Sequence, residues 1–562
     1  MTRCISSLSR ISTGDRATGV GALAIADKML ERAGVDEVSS RERFCAGLSA
    51  CATGDVRTLP ALLAAAVAAH AEREALISTR GRLTYAALAA RVEQAAGALA
   101  ARGVGRGTRV GLLLPNWPEW AVLAFAVWRC GGVLVPLATV APPRDLAATL
   151  ARGDVALAVG VRRFRRYAYE EGLAAAPAHV LLEEPPPGAA LDLGPLLAAG
   201  AGDPGGPPDP SAEATLCFTS GSTAEPKGVV HTQAGLALAA RGDAAVLGVG
   251  PEDRTWGQLP FFFAGGLVAV LLATLSAGGA VALQEVFEPG EGLALLERER
   301  VTVFFSWPHQ AEALLAHPDF ARRRLVVHKG VGANTAWAER LYPPAHLAVS
   351  AYGMTETPPL CAAWPWHASL ERRRGSYGPP VGERELRIVD PATGAACAAG
   401  AEGEICVRGP ELFSHYLGRT PAECRDADGF FHTGDRGRLD ADGALHFAGR
   451  LGDVIKSAGA NVSAAEVEAA LREHPAVSAA HVVGVPDPRR GESVAAFVVA
   501  AAAVDAETLV AHCRTRLASW KVPRHLWLRD EGGLPTRDSG KVDRVALYAE
   551  AVRLVAEADP PG

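Results

Sequence analysis

The sequence has no closely spaced cysteine pairs and no strong net charge. Its 562 residues include ten scattered cysteines, with no C-x-x-C pair and no cluster with histidine at metal-ligand spacing. That scatter argues against a structural zinc site and favours reduced thiols in a cytoplasm. The net charge of −6 gives no electrostatic footprint for nucleic acid. We therefore expect a cytoplasmic globular protein that does not bind nucleic acid.

Long apolar runs are also interrupted. Residues Phe261 to Gln284 carry no charge, but Gly265, Gly266 and a Ser-Ala-Gly-Gly stretch break the run before a separate strand-like "AVAL". This pattern predicts a buried helix followed by a buried strand, and no stable membrane insertion. The first residues lack the apolar core of a secretory signal.

The sequence does contain a regular alternation of strand and helix patterns. "RVGLLLPN" and "GVLVPL" are typical of buried strands, whereas "LTYAALAARVEQAAGALAARG" and "PEWAVLAFAVWRCG" have helical periodicity. Strand–helix–strand alternation predicts an α/β fold whose parallel-type sheets carry helices on both faces.

Changes in pattern divide the chain into three parts. Residues 1–56 form an N-terminal extension of unknown role, and residues 57–450 form a large domain. Residues 451–562 have the length of a separate small α+β domain, roughly 100 residues, with one clear helix from Ala464 to His474.

The stretch "TSGSTAEPKG", from Thr219 to Gly228, resembles a phosphate-binding loop. Gly221 and Lys227 have Walker-type spacing, but Pro226 and Gly228 replace the second glycine and the final hydroxyl residue. Small and hydroxylated residues leave backbone N–H groups free to converge on an anion, and the lysine adds a charge. An ordinary linker is the alternative interpretation.

A second motif, "AYGMTET", follows an apolar strand-like run. It is therefore expected at a strand end, where ligands bind in open α/β sheets. Glu356 offers a hard oxygen ligand for Mg²⁺, which would supply the metal ligand that the loop lacks. Taken alone, this carboxylate also fits a surface salt bridge.

Three further motifs carry charged residues in glycine-containing segments. "DGFFHTGDRG" places Asp435 after a glycine in a predicted tight turn, where a buried carboxylate can accept hydrogen bonds from ribose hydroxyls. "GRLGDVIKSAG" contains Arg450 and Lys456, and "LPTRDSGKVDR" contains Lys541. Each also fits a turn with a solvated charge.

In this order, the five motifs resemble those of the adenylate-forming superfamily of acyl- and aryl-CoA ligases, adenylation domains and luciferases. The resemblance extends from about Arg57 to Leu547. It implies a large domain, a small mobile domain and two reaction steps. ATP, Mg²⁺ and a carboxylic acid give an acyl-adenylate, and coenzyme A then takes the acyl group.

The resemblance also implies residue roles. Thr219, Ser220, Gly221, Ser222, Thr223 and Lys227 would hold the β- and γ-phosphates. Tyr352 would pack on adenine, Gly353 would belong to the ATP/AMP site, and Thr355 would contact phosphate. Glu356 would bind Mg²⁺, and Asp435 and Arg450 would hold the ribose. Lys541 would bridge the carboxylate and the α-phosphate, so that its charge offsets the charge developing there. The catalytic set is thus Lys541, Glu356, Thr355 and Lys227.

Several positions depart from the family pattern. Ala224 replaces a usual glycine, Phe263 stands where many members have histidine, and Gly452 occupies the expected hinge. The acyl pocket or thiol tunnel is expected to involve Phe263, Gly330, Gly332 and Gly459.

The substrate prediction rests on "PFFFAGGL", which has no Asp to pair with an ammonium group. Burying an unpaired ammonium is costly, so an α-amino acid is not expected. A fatty, cyclic or aromatic carboxylic acid remains open.

Two alternatives to a CoA ligase also remain at this point. One is a stand-alone adenylating enzyme that loads a carrier protein. The other is a catalytically silent nucleotide-binding protein, against which the joint presence of Lys227, Glu356 and Lys541 argues.

Overall fold

The computed structural model describes residues 56–558 except 142, 220–226, 336, 345, 452–453, 458–459, 488–490, 518–519, 531 and 537–541. Most of the extension predicted at residues 1–56 therefore lies outside the described residues.

The first large sheet, sheet A, is almost entirely parallel. Its spatial order is Lys329–Gly330, Val303–Phe304, Arg254–Gly257, Ala280–Leu283, Glu74–Ser78 and Gly81–Thr84. Only the last pair is antiparallel. The strands are short and largely apolar, as expected for a sheet covered on both faces.

The second large sheet, sheet B, has a parallel body and an antiparallel edge. Its order is His415–Tyr416, Lys227–Thr232, Glu213–Thr219, Val133–Pro136, Arg109–Leu113, Leu157–Val161 and Ala178–Leu182. The first two strands supply the antiparallel edge. Both strands predicted from "RVGLLLPN" and "GVLVPL" are confirmed.

Helices connect these strands, and capping threonines mark the starts of some of them. In the large domain they span Leu59–His70, Tyr85–Ala101, Pro118–Arg129, Pro143–Arg152, Glu170–Leu173, Gly194–Leu197, Gln233–Leu247, Ala273–Ser276, Pro289–Arg298, Pro308–Ala316, Ala338–Leu341 and Leu370–Gly375, with 3₁₀ turns at Phe320–Arg322 and Ala422–Cys424. Thr84 and Thr232 cap two of them by accepting a backbone N–H two or three residues inside the helix.

The helix Pro118–Arg129 lies between the two sheets. It contacts Glu74–Ser78 of sheet A and Arg109–Leu113 and Val133–Pro136 of sheet B, and every residue from Pro118 to Trp128 is buried. Such all-round burial explains why its sequence is apolar on every face. One continuous core therefore joins both sheets.

The uncharged run Phe261–Gln284 folds as predicted, into a helix and a strand. A π-helix, Gly265–Leu272, continues into Ala273–Ser276 and is followed by the strand Ala280–Leu283. Among the described residues, no helix combines the length and the apolar character needed to cross a membrane.

A third sheet, sheet C, is antiparallel and contains Glu385–Val389, Gly403–Arg408, Phe431–Leu439 and Leu445–Arg450. Two small ladders accompany it in the large domain, Arg163–Phe164 with Tyr167–Ala168 and Ala351–Tyr352 with Ala362–Ala363.

The C-terminal region has its own sheet, sheet D, and its own core. Sheet D contains Ala460–Ser463, Val454–Ser457, Gly491–Ala500, Val477–Asp487 and His525–Arg529. Its helices are Ala464–Arg472, Ala506–Arg514 and Arg544–Ala558. The first confirms the predicted helix, although it ends two residues earlier than expected.

Strand carboxyl ends of sheet A meet at one edge. Because Arg254–Gly257, Val303–Phe304 and Lys329–Gly330 run parallel, the segments that follow them share this edge. The chain around Val349 pairs in parallel with Val331, so the segment leading to Tyr352 arrives there as well. Crevices of this kind bind ligands in open α/β folds.

Candidate active site

The predicted phosphate loop connects two neighbouring strands of sheet B. Thr219 ends one strand and Lys227 begins the next, and the two residues face each other in the antiparallel register. The loop residues Ser220, Gly221, Ser222, Thr223 and Ala224 lie outside the described residues. The described ends place the loop in a hairpin connection, with Lys227 exposed at its base.

A tyrosine links Lys227 to Glu356. The Lys227 ammonium lies 5.3 Å from the centre of the Tyr416 ring, and the Tyr416 hydroxyl donates a 2.8 Å hydrogen bond to Glu356 Oε1. Glu356 is buried, with 7% of its surface exposed. Lys227, predicted to contact phosphates, and Glu356, predicted to bind Mg²⁺, therefore both contact the Tyr416 side chain.

Burial, followed by the neighbouring Glu356 carboxylate, raises the pKa of Tyr416 well above its usual value. The phenol therefore stays protonated and acts as a donor. Glu356 is not the surface salt-bridge partner that its motif alone allowed. Tyr416 had no role in the sequence analysis, since it lies 60 residues from Glu356 along the chain.

The predicted adenine and ribose residues form a connected chain. The Tyr352 hydroxyl donates to Asp435 Oδ2 at 2.7 Å, and Arg450 Nε lies 2.8 Å from Asp435 Oδ1. Tyr352 and Asp435 are buried, while Arg450 is half exposed. Burial, then Asp435, raises the pKa of Tyr352 far above its usual value, which keeps the phenol a donor.

The tight turn predicted around Asp435 is not present. Gly434 and Asp435 lie inside the strand Phe431–Leu439, and Gly434 has φ +71° at an irregularity in the pairing with Gly403–Arg408. Asp435 still pairs directly with Arg450 of the strand Leu445–Arg450. The glycine thus distorts a strand instead of closing a turn.

The remaining residues of the "AYGMTET" motif lie beside these groups. Gly353 follows the short strand Ala351–Tyr352 and is exposed, and Thr355 is half-buried. The backbone of Thr355 hydrogen-bonds the ring of His231, whose pKa burial lowers to about 4. A neutral, buried histidine therefore ties this motif to the strand Lys227–Thr232.

Aromatic side chains gather at the sheet A edge. Phe263 is half-buried, and its ring centre lies 4.6 Å from that of Phe262 and 5.5 Å from that of Trp307. The Phe263–Trp307 pair is edge-to-face, a favourable arrangement for aromatic rings. Trp307 stacks in turn on His309 at 5.8 Å. The sequence analysis named Phe263 but missed Trp307, which lies three residues after the end of the strand Val303–Phe304.

Gly330 and Gly332 are required by the backbone. They have φ +130° and +96°, and an added Cβ would lie 1.9 Å from the Phe304 carbonyl oxygen and 2.4 Å from the Trp337 ring, respectively. A side chain would be strained at either position. Close packing by itself accounts for both glycines. Their role in leaving room for an adenylate therefore stays a prediction.

A buried asparagine fixes the segment that carries Phe263. Asn116 Nδ2 donates to the carbonyl oxygens of Gly257 and Leu259 at 3.0 and 2.8 Å, and its Oδ1 accepts from the Phe261 N–H at 3.0 Å. Sequence reasoning missed Asn116, since its partners lie at least 141 residues away.

Three predicted residues, Gly452, Gly459 and Lys541, lie outside the described residues. Their assignment as hinge, tunnel residue and catalytic lysine therefore stays a prediction.

Family comparisons identify the fold and the chemistry. The model of the AMP-binding enzyme family matches residues 63–417, and the model of the AMP-binding enzyme C-terminal domain matches residues 466–541. The chain belongs to the AMP-binding enzyme family. The resemblance to adenylate-forming enzymes is confirmed, as is the α/β fold with a separate C-terminal domain. The boundaries at residues 56 and 450 stay predictions.

Among similar proteins, a feruloyl-CoA synthase from Amycolatopsis sp is 36% identical over 468 residues, covering 82% of this chain and 92% of the relative. An indoleacetate–CoA ligase from Aromatoleum aromaticum is 34% identical, covering 82% and 91%. The solved o-succinylbenzoate CoA synthetase from Bacillus subtilis, in complex with an acyl-adenylate intermediate, superposes with a TM-score of 0.74 at 29% identity, covering 86% and 97%.

Proposed function

We propose that this AMP-binding enzyme activates an aromatic or arylalkyl carboxylic acid and transfers it to coenzyme A. The observation that carries the choice of acid is the group of aromatic rings, Phe262, Phe263 and Trp307, at the carboxyl ends of sheet A. Flat aromatic surfaces favour a ring substrate because edge-to-face and offset contacts add to the burial of apolar area. Relatives named for feruloyl-CoA and indoleacetate support the same choice.

The general reaction is that of an AMP-forming acid–thiol ligase. ATP and the carboxylate give an acyl-adenylate and pyrophosphate, and the thiol of coenzyme A then displaces AMP. Activation is needed because a carboxylate oxygen is a poor leaving group for thiol attack, whereas AMP is a good one.

The nucleotide roles extend this proposal. The Tyr352–Asp435–Arg450 chain would hold adenine and ribose, since it presents a buried ring, a carboxylate acceptor and a cation in one connected group. Lys227 and the residues from Thr219 to Thr223 would contact the phosphates, together with Thr355. Thr219 and Lys227 frame the loop, in support of this role.

Glu356 fits a Mg²⁺ ligand because it is a buried carboxylate whose one oxygen is oriented by a tyrosine donor. A hard oxygen donor of this kind suits Mg²⁺ bound mainly by substrate phosphates. The ion would supply charge neutralisation at the phosphates. Tyr416 would orient the carboxylate.

The test is a panel of aromatic, arylalkyl, fatty and alicyclic acids, each with ATP, Mg²⁺ and the purified full-length protein, with and without coenzyme A. Mass spectrometry of the products is expected to show an aryl- or arylalkyl-CoA and stoichiometric AMP. Preference for a long-chain fatty acid would overturn the proposed substrate class. Acyl-adenylate that accumulates without a thioester would replace coenzyme A by a carrier protein as the acceptor.

A further inference from the structure

A thiol, an imidazole and a carboxylate lie together on sheet C. Glu404 and Cys406 belong to the strand Gly403–Arg408, and His432 belongs to the neighbouring strand Phe431–Leu439. Cys406 and His432 face each other in the antiparallel register. Pairing between the two strands therefore brings together three residue types that are common metal ligands.

The donor atoms are close enough to share one ion. His432 Nδ1 lies 2.8 Å from Glu404 Oε2 and 3.5 Å from Cys406 Sγ, and the three donor atoms all lie within 4.8 Å of one another. Ligand atoms of a tetrahedral zinc ion are about 3.3 to 3.8 Å apart, given the usual bond lengths. Small side-chain shifts suffice to reach that arrangement.

His432 and Glu404 each have a second polar contact that orients the side chain. Asp426 Oδ2 lies 3.4 Å from His432 Nε2, and the Gly434 N–H donates to Glu404 Oε1 at 2.9 Å. Asp426 is itself held by the Arg387 guanidinium. Metal-bound histidine usually donates its second ring N–H to a carboxylate, and bound carboxylates are hydrogen-bonded in turn. The cluster has both features.

We propose that Glu404, Cys406 and His432 bind one Zn²⁺ ion. Thiolate, imidazole and carboxylate together select zinc over Mg²⁺ or Ca²⁺, which prefer oxygen ligands. His432 is 42% exposed, so a fourth position on the ion is open to water. Cysteine binds metal as the thiolate and not as the thiol, so metal binding releases the Cys406 proton to solvent.

The site also adjoins the nucleotide end of the active site. Glu404 holds the N–H of Gly434, and Asp435 follows Gly434 directly in the strand. A metal ion that fixes Glu404 therefore stiffens the backbone that carries Asp435.

The experiment uses cobalt as a spectroscopic probe for zinc, with the full-length protein stripped of metal by chelator and dialysis. The wild-type protein is expected to bind one equivalent of Co²⁺ with a thiolate-to-cobalt absorption band, and Zn²⁺ is expected to bleach it. Cys406→Ser should abolish the band, and His432→Asn should weaken Co²⁺ binding at least about 10-fold.

The matched control is Cys397→Ser, which changes a half-buried cysteine outside the cluster and should leave the band unchanged. Because Cys406 is buried, the melting temperature of each variant is recorded, and His432→Asn, an exposed substitution, carries the test if Cys406→Ser does not fold. If Co²⁺ stoichiometry and spectrum are the same in wild type and His432→Asn, His432 is not a metal ligand and the proposal is overturned. His432 would then only form ion pairs with Glu404 and Asp426.

Discussion

At the proposed nucleotide end of the site, polar side chains are joined by a short hydrogen bond and an ion pair, whereas at the proposed acyl end the side chains meet through aromatic rings. Tyr352, Asp435 and Arg450 form one connected chain, but Phe263 and Trp307 are joined by an edge-to-face contact. Buried hydrogen-bonded groups tolerate little change, because loss of one partner leaves the other unsatisfied. Aromatic pockets distinguish substrates by shape, and a small change in the substrate alters the binding free energy less there than at a buried hydrogen-bonded group. We therefore expect ATP recognition to be stringent and acid recognition to be graded.

The largest effect is expected where the two ends would meet. Lys541→Ala should lower the rate of acyl-adenylate formation at least about 1,000-fold, because a charge that stabilises the transition state is removed. ATP binding and thioester formation from supplied acyl-adenylate should remain. Pyrophosphate exchange, ATP binding and single-turnover thioester assays measure the three properties. Normal exchange in the variant would refute the role of Lys541.

Asp435→Ala tests the nucleotide end alone. The substitution removes a charge-assisted contact and the carboxylate acceptor of the Tyr352 hydroxyl, so kcat/KM for ATP should fall about 10- to 100-fold. The KM for the acid should stay within about twofold of the wild-type value, because Phe263 and Trp307 contact each other through their rings and Asp435 contacts Tyr352 and Arg450. Equal losses for both substrates would contradict the separation of the two ends.

Trp307→Ala tests the acyl end. Loss of the indole leaves the Phe263 ring without its edge-to-face partner, and kcat/KM for an aromatic acid should fall about 10-fold. The KM for ATP should not change. Trp307→Phe is the matched control, because it keeps a ring and should retain most of the activity. If the alanine variant shows the same preference among the acids as wild type, Trp307 does not belong to the acyl pocket.

Tyr416→Phe removes one hydroxyl and keeps the ring beside Lys227. Glu356 then loses a donor, and adenylation should slow about 5- to 10-fold, with a higher Mg²⁺ requirement. Magnesium titration of the exchange reaction measures this effect. A rate unchanged at every Mg²⁺ concentration would show that the hydroxyl does not orient Glu356.

The smallest effect concerns the stability of the fold. Asp243 is completely buried near Arg384 and Glu411, and burial raises its pKa to about 8 despite the opposing effect of Arg384. Between pH 3.8 and about 8, Asp243 is therefore protonated in the folded protein and ionised in the unfolded chain. The free energy of unfolding should decline as the pH rises between these two values.

Asp243→Asn should remove this decline. Thermal unfolding at about pH 5 and about pH 9 is expected to show a larger gain for the variant at the higher pH. Adenylation kinetics should stay unchanged at neutral pH. Wild-type and variant stability curves that run parallel across the range would show that Asp243 does not titrate there.

Secondary structure followed closely from the sequence because local patterns determine it. The strands Arg109–Leu113 and Val133–Pro136 and the helices Tyr85–Ala101 and Pro118–Arg129 all lie where periodicity predicts them. The motif residues Tyr352, Glu356, Asp435 and Arg450 were also found in sequence, because their chemistry is concentrated in short segments.

Residues that act through distant contacts escaped prediction. Tyr416 contacts Glu356 across 60 residues, and Asn116 contacts Phe261 across 145. Cysteine spacing argued against a zinc site, yet strand pairing places Cys406 beside His432. Spacing along the chain does not show which residues face each other across paired strands.

The sequence by itself determined the fold class, the alternation of strands and helices, and the identity of the charged groups available for chemistry, because these depend on short-range periodicity and residue type. Only the tertiary structure decided which groups meet. The parallel register of sheet A brings Phe263, Trp307 and Gly332 to one edge, and packing places the Tyr416 and Tyr352 hydroxyls where they donate to Glu356 and Asp435. Contacts of this kind arise from the packing of whole sheets, which no local segment of the chain encodes.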